Sequence, residues 1–197
     1  MAALRNLPLV ALAIPVLFGQ GKIPPRPSGL PAPPDSPMGQ YLTDVMLTNQ
    51  NGEPVRFYTD LIKGKVVVID SFFATCQGAC PKMAAQLSKL QDEFGDRFGK
   101  QVFFVSITVD PQQDTPEKLK EYAERFKAKP GWSFVTGTKE NVNWALYKLG
   151  HYVEQPSDHS TIFVVGNEPT GLWRKVQSLA STPEVFALIE KTLKDEK

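Results

Sequence analysis

Two almost continuous apolar runs constrain the fold of this chain more than any other feature. They cover Val66–Phe72 and residues 102–109, and such runs are typical of strands that are covered on both faces. Between the runs, apolar residues recur at helical spacing: Met83, Leu87, Leu90 and Phe94. The sequence therefore predicts a strand, a helix and a second strand that share one hydrophobic core.

The alternation of strands and helices continues on both sides of this unit. Asn51-Gly52 is a strong hairpin signal between short strands at residues 44–48 and 54–57. Further strands are predicted at residues 132–136, 161–165 and 172–176, and further helices at the apolar stripes Leu119, Tyr122, Ala123 and Phe126; Val142, Ala145, Leu146 and Leu149; Phe186, Ile189 and Leu193. We predict an α/β fold with a mixed central sheet flanked by helices and an N-terminal β-hairpin extension.

The only two cysteines of the chain, Cys76 and Cys80, follow directly after the first apolar run. Pro81 suits the first turn of a helix, and residues four apart on a helix lie on one face. Helical geometry separates their α-carbons by roughly 6 Å, which a disulfide can bridge. A helix N-terminus also lowers the pKa of a thiol, and a thiolate is both a nucleophile and a metal ligand. The pair could therefore form a disulfide or hold a metal.

A purely structural disulfide is the main alternative for this pair. A bond between Cys76 and Cys80 would close a very short loop and would constrain the unfolded chain little. The sequence favours a functional pair.

The chain has two histidines, and His159 lies in a loop that leads into a predicted strand. The neighbouring Asp158 could orient its imidazole. We interpret His151 as an ordinary structural residue, because it has only an aromatic neighbour. Two thiolates and one imidazole form a soft three-ligand set, which suits copper and is also found in some catalytic zinc sites.

The N-terminal residues predict export. Residues 1–21 combine Arg5 with an apolar run that is too short to span a bilayer, which suggests a signal peptide or a short anchor. Residues 22–39 read as a Pro-rich tether with little to bury, and its prolines are Pro24, Pro25, Pro27, Pro31, Pro33, Pro34 and Pro37. Residues 40–197 form the predicted domain, which we expect to be periplasmic or attached to the outer face of the cytoplasmic membrane.

The charge balance bears on the partners of this domain. There are 22 basic and 21 acidic residues, so the net charge of +1 gives no electrostatic basis for binding nucleic acid or an anionic membrane. The hydrophobic content of 42% supports one well-packed core. We expect a monomer that recognises its partner through local contacts.

Three motifs in register carry a resemblance to a known family. They are Cys76-x-x-x-Cys80-Pro81, then Val109-Asp110-Pro111-x-x-Asp114-Thr115-Pro116, then Asp158-His159-Ser160. Their order and spacing resemble the Sco (Sco/SenC-type) family of thioredoxin-like copper proteins, which help to metallate cytochrome c oxidase. The resemblance covers roughly residue 40 to the C-terminus. One departure is Gln77, which stands where the family usually has a proline after the first cysteine.

The resemblance implies a thioredoxin-like fold and a copper site. Copper(I) or copper(II) would be bound by Cys76, Cys80 and His159. The implied partner is cytochrome c oxidase subunit II, whose two-copper centre would receive the metal, or another copper or thiol protein. The N-terminus could tether the domain to the membrane during this delivery.

An extracytoplasmic thiol–disulfide oxidoreductase is the alternative function. Cys76 would attack a disulfide of a partner protein, and Cys80 would resolve the mixed disulfide. A thiol peroxidase is less well supported. A proline and a threonine usually precede a peroxidatic cysteine, and here only the threonine, Thr75, is present. His159 distinguishes the chaperone from the reductase, since thiol exchange does not require it.

Overall fold

The fold is a single seven-stranded mixed sheet with helices on both faces. A computed structural model describes residues 22–32 and 34–195. The strands are β1 (Met46–Asn49), β2 (Pro54–Arg56), β3 (Val66–Phe72), β4 (Val102–Thr108), β5 (Trp132–Thr136), β6 (Ile162–Asn167) and β7 (Leu172–Gln177). Their spatial order is β2-β1-β5-β4-β3-β6-β7. Strands β3, β4 and β5 are parallel, and the other pairs are antiparallel. The predicted α/β class and the mixed sheet are confirmed.

The sheet divides the core into two layers, and helices cover each layer. The helices are α1 (Pro37–Leu42), α2 (Ala79–Phe94), α3 (Pro116–Arg125), α4 (Lys139–Leu149) and α5 (Thr182–Leu193), with short 3-10 turns at Gly95–Arg97 and Pro156–Asp158. One face of the sheet packs against α2, α3 and α5, and the other packs against α1 and α4. Strand β3 is buried along its whole length, as its apolar sequence predicts.

Most sequence boundaries agree with the structure within two residues. The predicted start of the first strand differs, because Asp44 does not pair in the sheet. Its carboxylate instead accepts hydrogen bonds from the backbone N–H groups of Tyr58 and Thr59, at 3.0 and 2.7 Å. The strand therefore begins at Met46. The short helix α1 was not predicted; Ser36 caps it by accepting from the N–H of Gly39.

The Pro-rich segment makes more contacts than its sequence suggests. Pro24 and Pro27 are buried, and Leu30 and Met38 pack against the core beneath α4. Near its start, the ammonium of Lys22 lies 3.1 Å from a carboxylate oxygen of Glu154. These contacts place the described part of the Pro-rich segment against the domain, and its role as a tether stays a prediction.

The predicted signal peptide or anchor at residues 1–21 lies outside the described residues. Within residues 22–32 and 34–195, no helix combines the length and the apolar character that crossing a bilayer requires.

Candidate metal centre

The loop between β3 and α2 carries both cysteines. Cys76 is half-buried in this loop, and Cys80, the second residue of α2, is only 1% exposed. A hydrogen bond of 3.1 Å from the N–H of Cys76 to the carbonyl of Phe73 forms the turn that leads out of β3. Both thiols are free. Because α2 begins at Ala79, only Cys80 lies on the helix, and the prediction that both cysteines share one helix face is wrong. The loop nevertheless brings the two sulfurs within 4.8 Å of each other.

His159 completes a group of three potential metal ligands. Its Nε2 atom lies 3.1 Å from Cys80 Sγ and 3.9 Å from Cys76 Sγ. The two sulfurs and this nitrogen all lie within 4.8 Å of one another. The histidine enters the site from the short turn at Pro156–Asp158, just before β6. The structure therefore brings together all three residues that the sequence analysis selected.

The imidazole is oriented by the backbone and by an aromatic ring. Its Nδ1–H can donate to the carbonyl of Ser160 at 3.3 Å, which leaves the Nε2 lone pair towards the sulfurs. The ring of Phe73 packs edge-on against it, with centroids 5.5 Å apart. Asp158 instead accepts from the hydroxyl of Ser157 at 3.2 Å. The carbonyl of Ser160, and not Asp158 as expected, therefore orients the imidazole.

Burial sets the protonation of the site. It raises the pKa of the Cys80 thiol, and the hydrogen bond with Cys76 raises it further. Desolvation thus outweighs the helix N-terminus, which the sequence analysis expected to lower the pKa of a thiol at this position. Burial also lowers the pKa of His159, so its imidazole is neutral at pH 7. A neutral imidazole is the form that binds a metal.

A buried aspartate supports the cysteine loop from the neighbouring strand end. Asp114 Oδ2 accepts from the backbone N–H of Ala74 at 3.0 Å and from the hydroxyl of Thr108 at 2.5 Å. From the sequence, Asp114 was only part of a motif, with no predicted contact. The carboxylate that directly follows the apolar run is Asp110, so no local signal identified the contact of Asp114.

His151 is buried behind the centre and takes no part in the ligand group. It is 2% exposed, and its Nδ1 lies 3.1 Å from the hydroxyl of Ser71. Burial, with nearby Lys175, lowers the pKa of His151 to about 4. The interpretation of His151 as a structural residue agrees with this environment.

The donor set suits one soft metal ion. Metal bonds of about 2.0 Å to imidazole nitrogen and about 2.3 Å to sulfur place neighbouring ligand atoms less than about 4.6 Å apart. The observed separations of 3.1 and 3.9 Å to Nε2 fall within that range. Thiolate and imidazole together are the ligands that copper and zinc prefer.

The fold and this site define a thioredoxin-like protein with a Cys-Cys-His ligand group. A family model described as SCO1/SenC matches residues 35–194, which is most of the chain. The chain belongs to the SCO1/SenC family, as its three motifs predict.

Individual relatives agree with this assignment. The SCO1 protein homolog of Bacillus subtilis (strain 168) is 27% identical over 129 residues, which are 64% of this chain and 65% of the relative. A SCO1/SenC family lipoprotein from Bacillus anthracis has a similar structure, with a TM-score of 0.65 and 29% identity over 76% of this chain and 92% of that one. Yeast Sco1 with copper bound has the same fold at 24% identity, with a TM-score of 0.65 over 78% and 92% of the two chains. This chain thus spans just under two thirds of the length of its Bacillus subtilis relative.

Proposed function

We propose that this protein is a copper-binding metallochaperone that delivers copper to the two-copper centre of cytochrome c oxidase. The convergence of Cys76, Cys80 and His159 on one point is the observation that carries this proposal. Membership of the SCO1/SenC family supports the choice of copper over zinc, and so does the copper bound in yeast Sco1. Export, a membrane-associated position and the oxidase as partner belong to the same proposal.

The residues suggest how copper is held and released. The two sulfurs and the Nε2 lone pair of His159 bind the ion, and each protonated thiol loses its proton on binding. Because the pKa of Cys80 is raised, its proton competes with the metal. Cys76 is half-buried and offers the more open side of the site to a partner. The protein ligands of the copper ion can thus be exchanged one at a time for those of the oxidase.

Copper uptake by two redox forms tests this proposal. The reduced protein should take up about one copper per chain, whereas the protein with a Cys76–Cys80 disulfide should take up almost none, because a disulfide sulfur carries no thiolate charge. Anaerobic titration followed by elemental analysis measures both. Equal uptake by the oxidised form would place the copper elsewhere.

A thiol–disulfide oxidoreductase is the second candidate, and the unequal burial of the cysteines favours it. Cys76 is the more accessible thiol and would attack, while the buried Cys80 would resolve the mixed disulfide. The rate at which the reduced protein cleaves a test disulfide, with Cys76→Ser as control, measures this activity. Fast exchange by a protein that takes up no copper would favour this function over copper delivery.

A further inference from the structure

Asp114 is a buried carboxylate whose contacts end at the cysteine loop. It is 1% exposed and lies in the turn before α3. Its Oδ2 accepts from Ala74 N–H at 3.0 Å and from Thr108 Oγ1–H at 2.5 Å. Its Oδ1 is buried with no hydrogen-bond partner among the residues that the structure describes. A buried carboxylate oxygen without a partner costs stability, which indicates that the position of Asp114 matters to the groups it contacts.

The bond to Ala74 acts where the loop leaves the sheet. Phe72 is the last residue of β3, and its carbonyl accepts from Val109 N–H at 2.8 Å. Beyond that bond, Ala74 is joined to the end of β4 through the Asp114 carboxylate. Ala74 stands two residues before Cys76 in the sequence. A shift of the loop at Ala74 therefore moves the Cys76 sulfur.

We propose that Asp114 is a positioning residue for the metal centre: by holding Ala74 N–H, it fixes the loop so that Cys76 Sγ stays beside the Cys80–His159 pair. This inference rests on the proposed copper function. The close Cys80–His159 contact joins the start of α2 to the turn before β6, whereas Cys76 lies on the loop itself. Of the three ligands, Cys76 is therefore the one that depends on Asp114.

The chain offers a matched control in Asp44. This second buried aspartate is 7% exposed, and it likewise accepts from backbone N–H groups, those of Tyr58 and Thr59, and from the hydroxyl of Thr59. It supports the segment that precedes the start of β3, whereas the cysteine loop follows the end of β3. Removing either carboxylate leaves buried donors without an acceptor, but only Asp114 holds a donor next to the centre.

The experiment compares Asp114→Ala, Asp114→Asn and Asp44→Ala. Copper affinity is measured by competition with a chelator. The rate at which iodoacetamide alkylates Cys76 is measured in a Cys80→Ser background. Asp114→Ala should weaken copper binding about 10- to 100-fold, the usual effect of losing a group that orients a ligand. Asp114→Asn should stay within about threefold of wild type, because an amide oxygen can accept the same two bonds. Asp44→Ala should lower the unfolding midpoint without changing copper affinity.

A second variant keeps the test open if Asp114→Ala does not fold. Thr108→Val preserves volume but removes one bond to the carboxylate, and it should weaken copper binding by a smaller factor of about threefold to tenfold. Wild-type affinity in folded Asp114→Ala or in Thr108→Val would overturn the inference, and so would equal weakening by Asp44→Ala.

Failure of the proposed function is distinguishable from failure of this inference. If wild type takes up no copper, the alkylation rate of Cys76 still tests the inference, because a loop released by Asp114→Ala should change that rate and Asp44→Ala should not. An unchanged rate in Asp114→Ala would then overturn the positioning role.

Discussion

The two ends of strand β3 are built differently. At the end that leads to the cysteines, several buried polar atoms have no hydrogen-bond partner among the described residues: Asp114 Oδ1, His151 Nε2 and Tyr122 Oη. Tyr122 packs in the same core cluster as Cys80, and burial, with nearby Cys80 and Asp70, raises the pKa of its hydroxyl. Each such group costs about 1–3 kcal/mol of stability.

At the opposite end, a network of hydrogen bonds surrounds Tyr58. The hydroxyl of Tyr58, which is entirely buried, donates to Glu168 at 2.6 Å and shares a bond of 2.5 Å with Ser36. The other carboxylate oxygen of Glu168 accepts from Gly64 N–H at 2.8 Å. These bonds join the Pro-rich segment, the turn before β3 and the turn after β6. This network satisfies the polar atoms around Tyr58, whereas those of Asp114, His151 and Tyr122 at the ligand end are left unsatisfied, as is common at functional sites.

His159→Ala should give the largest effect, and it acts at the ligand end. Losing one of three ligands should weaken copper binding by on the order of 100-fold or more, beyond the loss of an orienting group alone. Disulfide exchange should survive, because it depends on the thiols. Chelator competition and the reduction rate of a test disulfide measure the two properties.

His151→Ala is the matched control, since it removes the other histidine without removing a ligand. Its copper affinity should equal that of wild type. Unchanged copper affinity in His159→Ala together with a collapsed exchange rate would contradict the ligand assignment and make His159 a catalytic base.

Asp70→Asn should give the next largest effect, on stability. Asp70 lies in β3 and accepts from the hydroxyl of Ser106, which in turn accepts from Trp132 Nε1–H at 3.0 Å. Burial raises the pKa of Asp70 to about 7, so the folded protein holds a proton that the unfolded chain releases near pH 4. Stability is therefore complete below about pH 4 and is lost as pH rises towards 7.

Asparagine should remove this dependence, because it is neutral at every pH. At pH 8 it should raise the free energy of unfolding by roughly 2–4 kcal/mol, from about 1.4 kcal/mol per unit of pKa shift. Urea unfolding of both proteins at pH 4.5, 6 and 8 measures the effect, and the difference should shrink towards pH 4.5. A constant difference across these pH values would mean that Asp70 is ionised in the folded protein.

The sequence was sufficient for local structure and insufficient for long-range polar contacts. The apolar run of β3 and the stripe that begins at Met83 predicted their elements, because burial imposes a period on the residues. The cysteine pair and the loop position of His159 selected the three ligands, and the family motifs supported that choice, although Cys76 proved to lie in the loop and not on the helix. By contrast, the bond from Asp114 to Ala74 joins residues 40 positions apart, and no local pattern specifies such a pair.

The Pro-rich segment shows the same limit from the other side. Its composition indicates an extended chain, and only tertiary packing buries Pro24 and Pro27 against the domain. The dominance of burial over the helix dipole at Cys80 is likewise a property of the assembled core, because it depends on what surrounds the thiol.

The smallest expected effects come from removing one hydroxyl at each end, with Tyr58→Phe and Tyr122→Phe. Tyr58→Phe removes one hydrogen bond from Glu168 and one from Ser36, and it should lower the free energy of unfolding by about 1–2 kcal/mol. Copper affinity should not change, because these contacts lie beside the start of β3. Chemical unfolding and chelator competition measure the two quantities.

Tyr122→Phe makes the same chemical change next to the ligands. The Tyr122 hydroxyl is buried with no partner among the described residues, so its removal breaks no bond and relieves a desolvation cost. The ring contacts with Phe72 and Phe134, at centroid distances of 4.9 and 5.9 Å, remain. Stability should stay unchanged or rise by up to about 1 kcal/mol. A loss as large as that of Tyr58→Phe would mean that the hydroxyl is hydrogen-bonded in solution, and the contrast between the two ends of β3 would then be wrong at this residue.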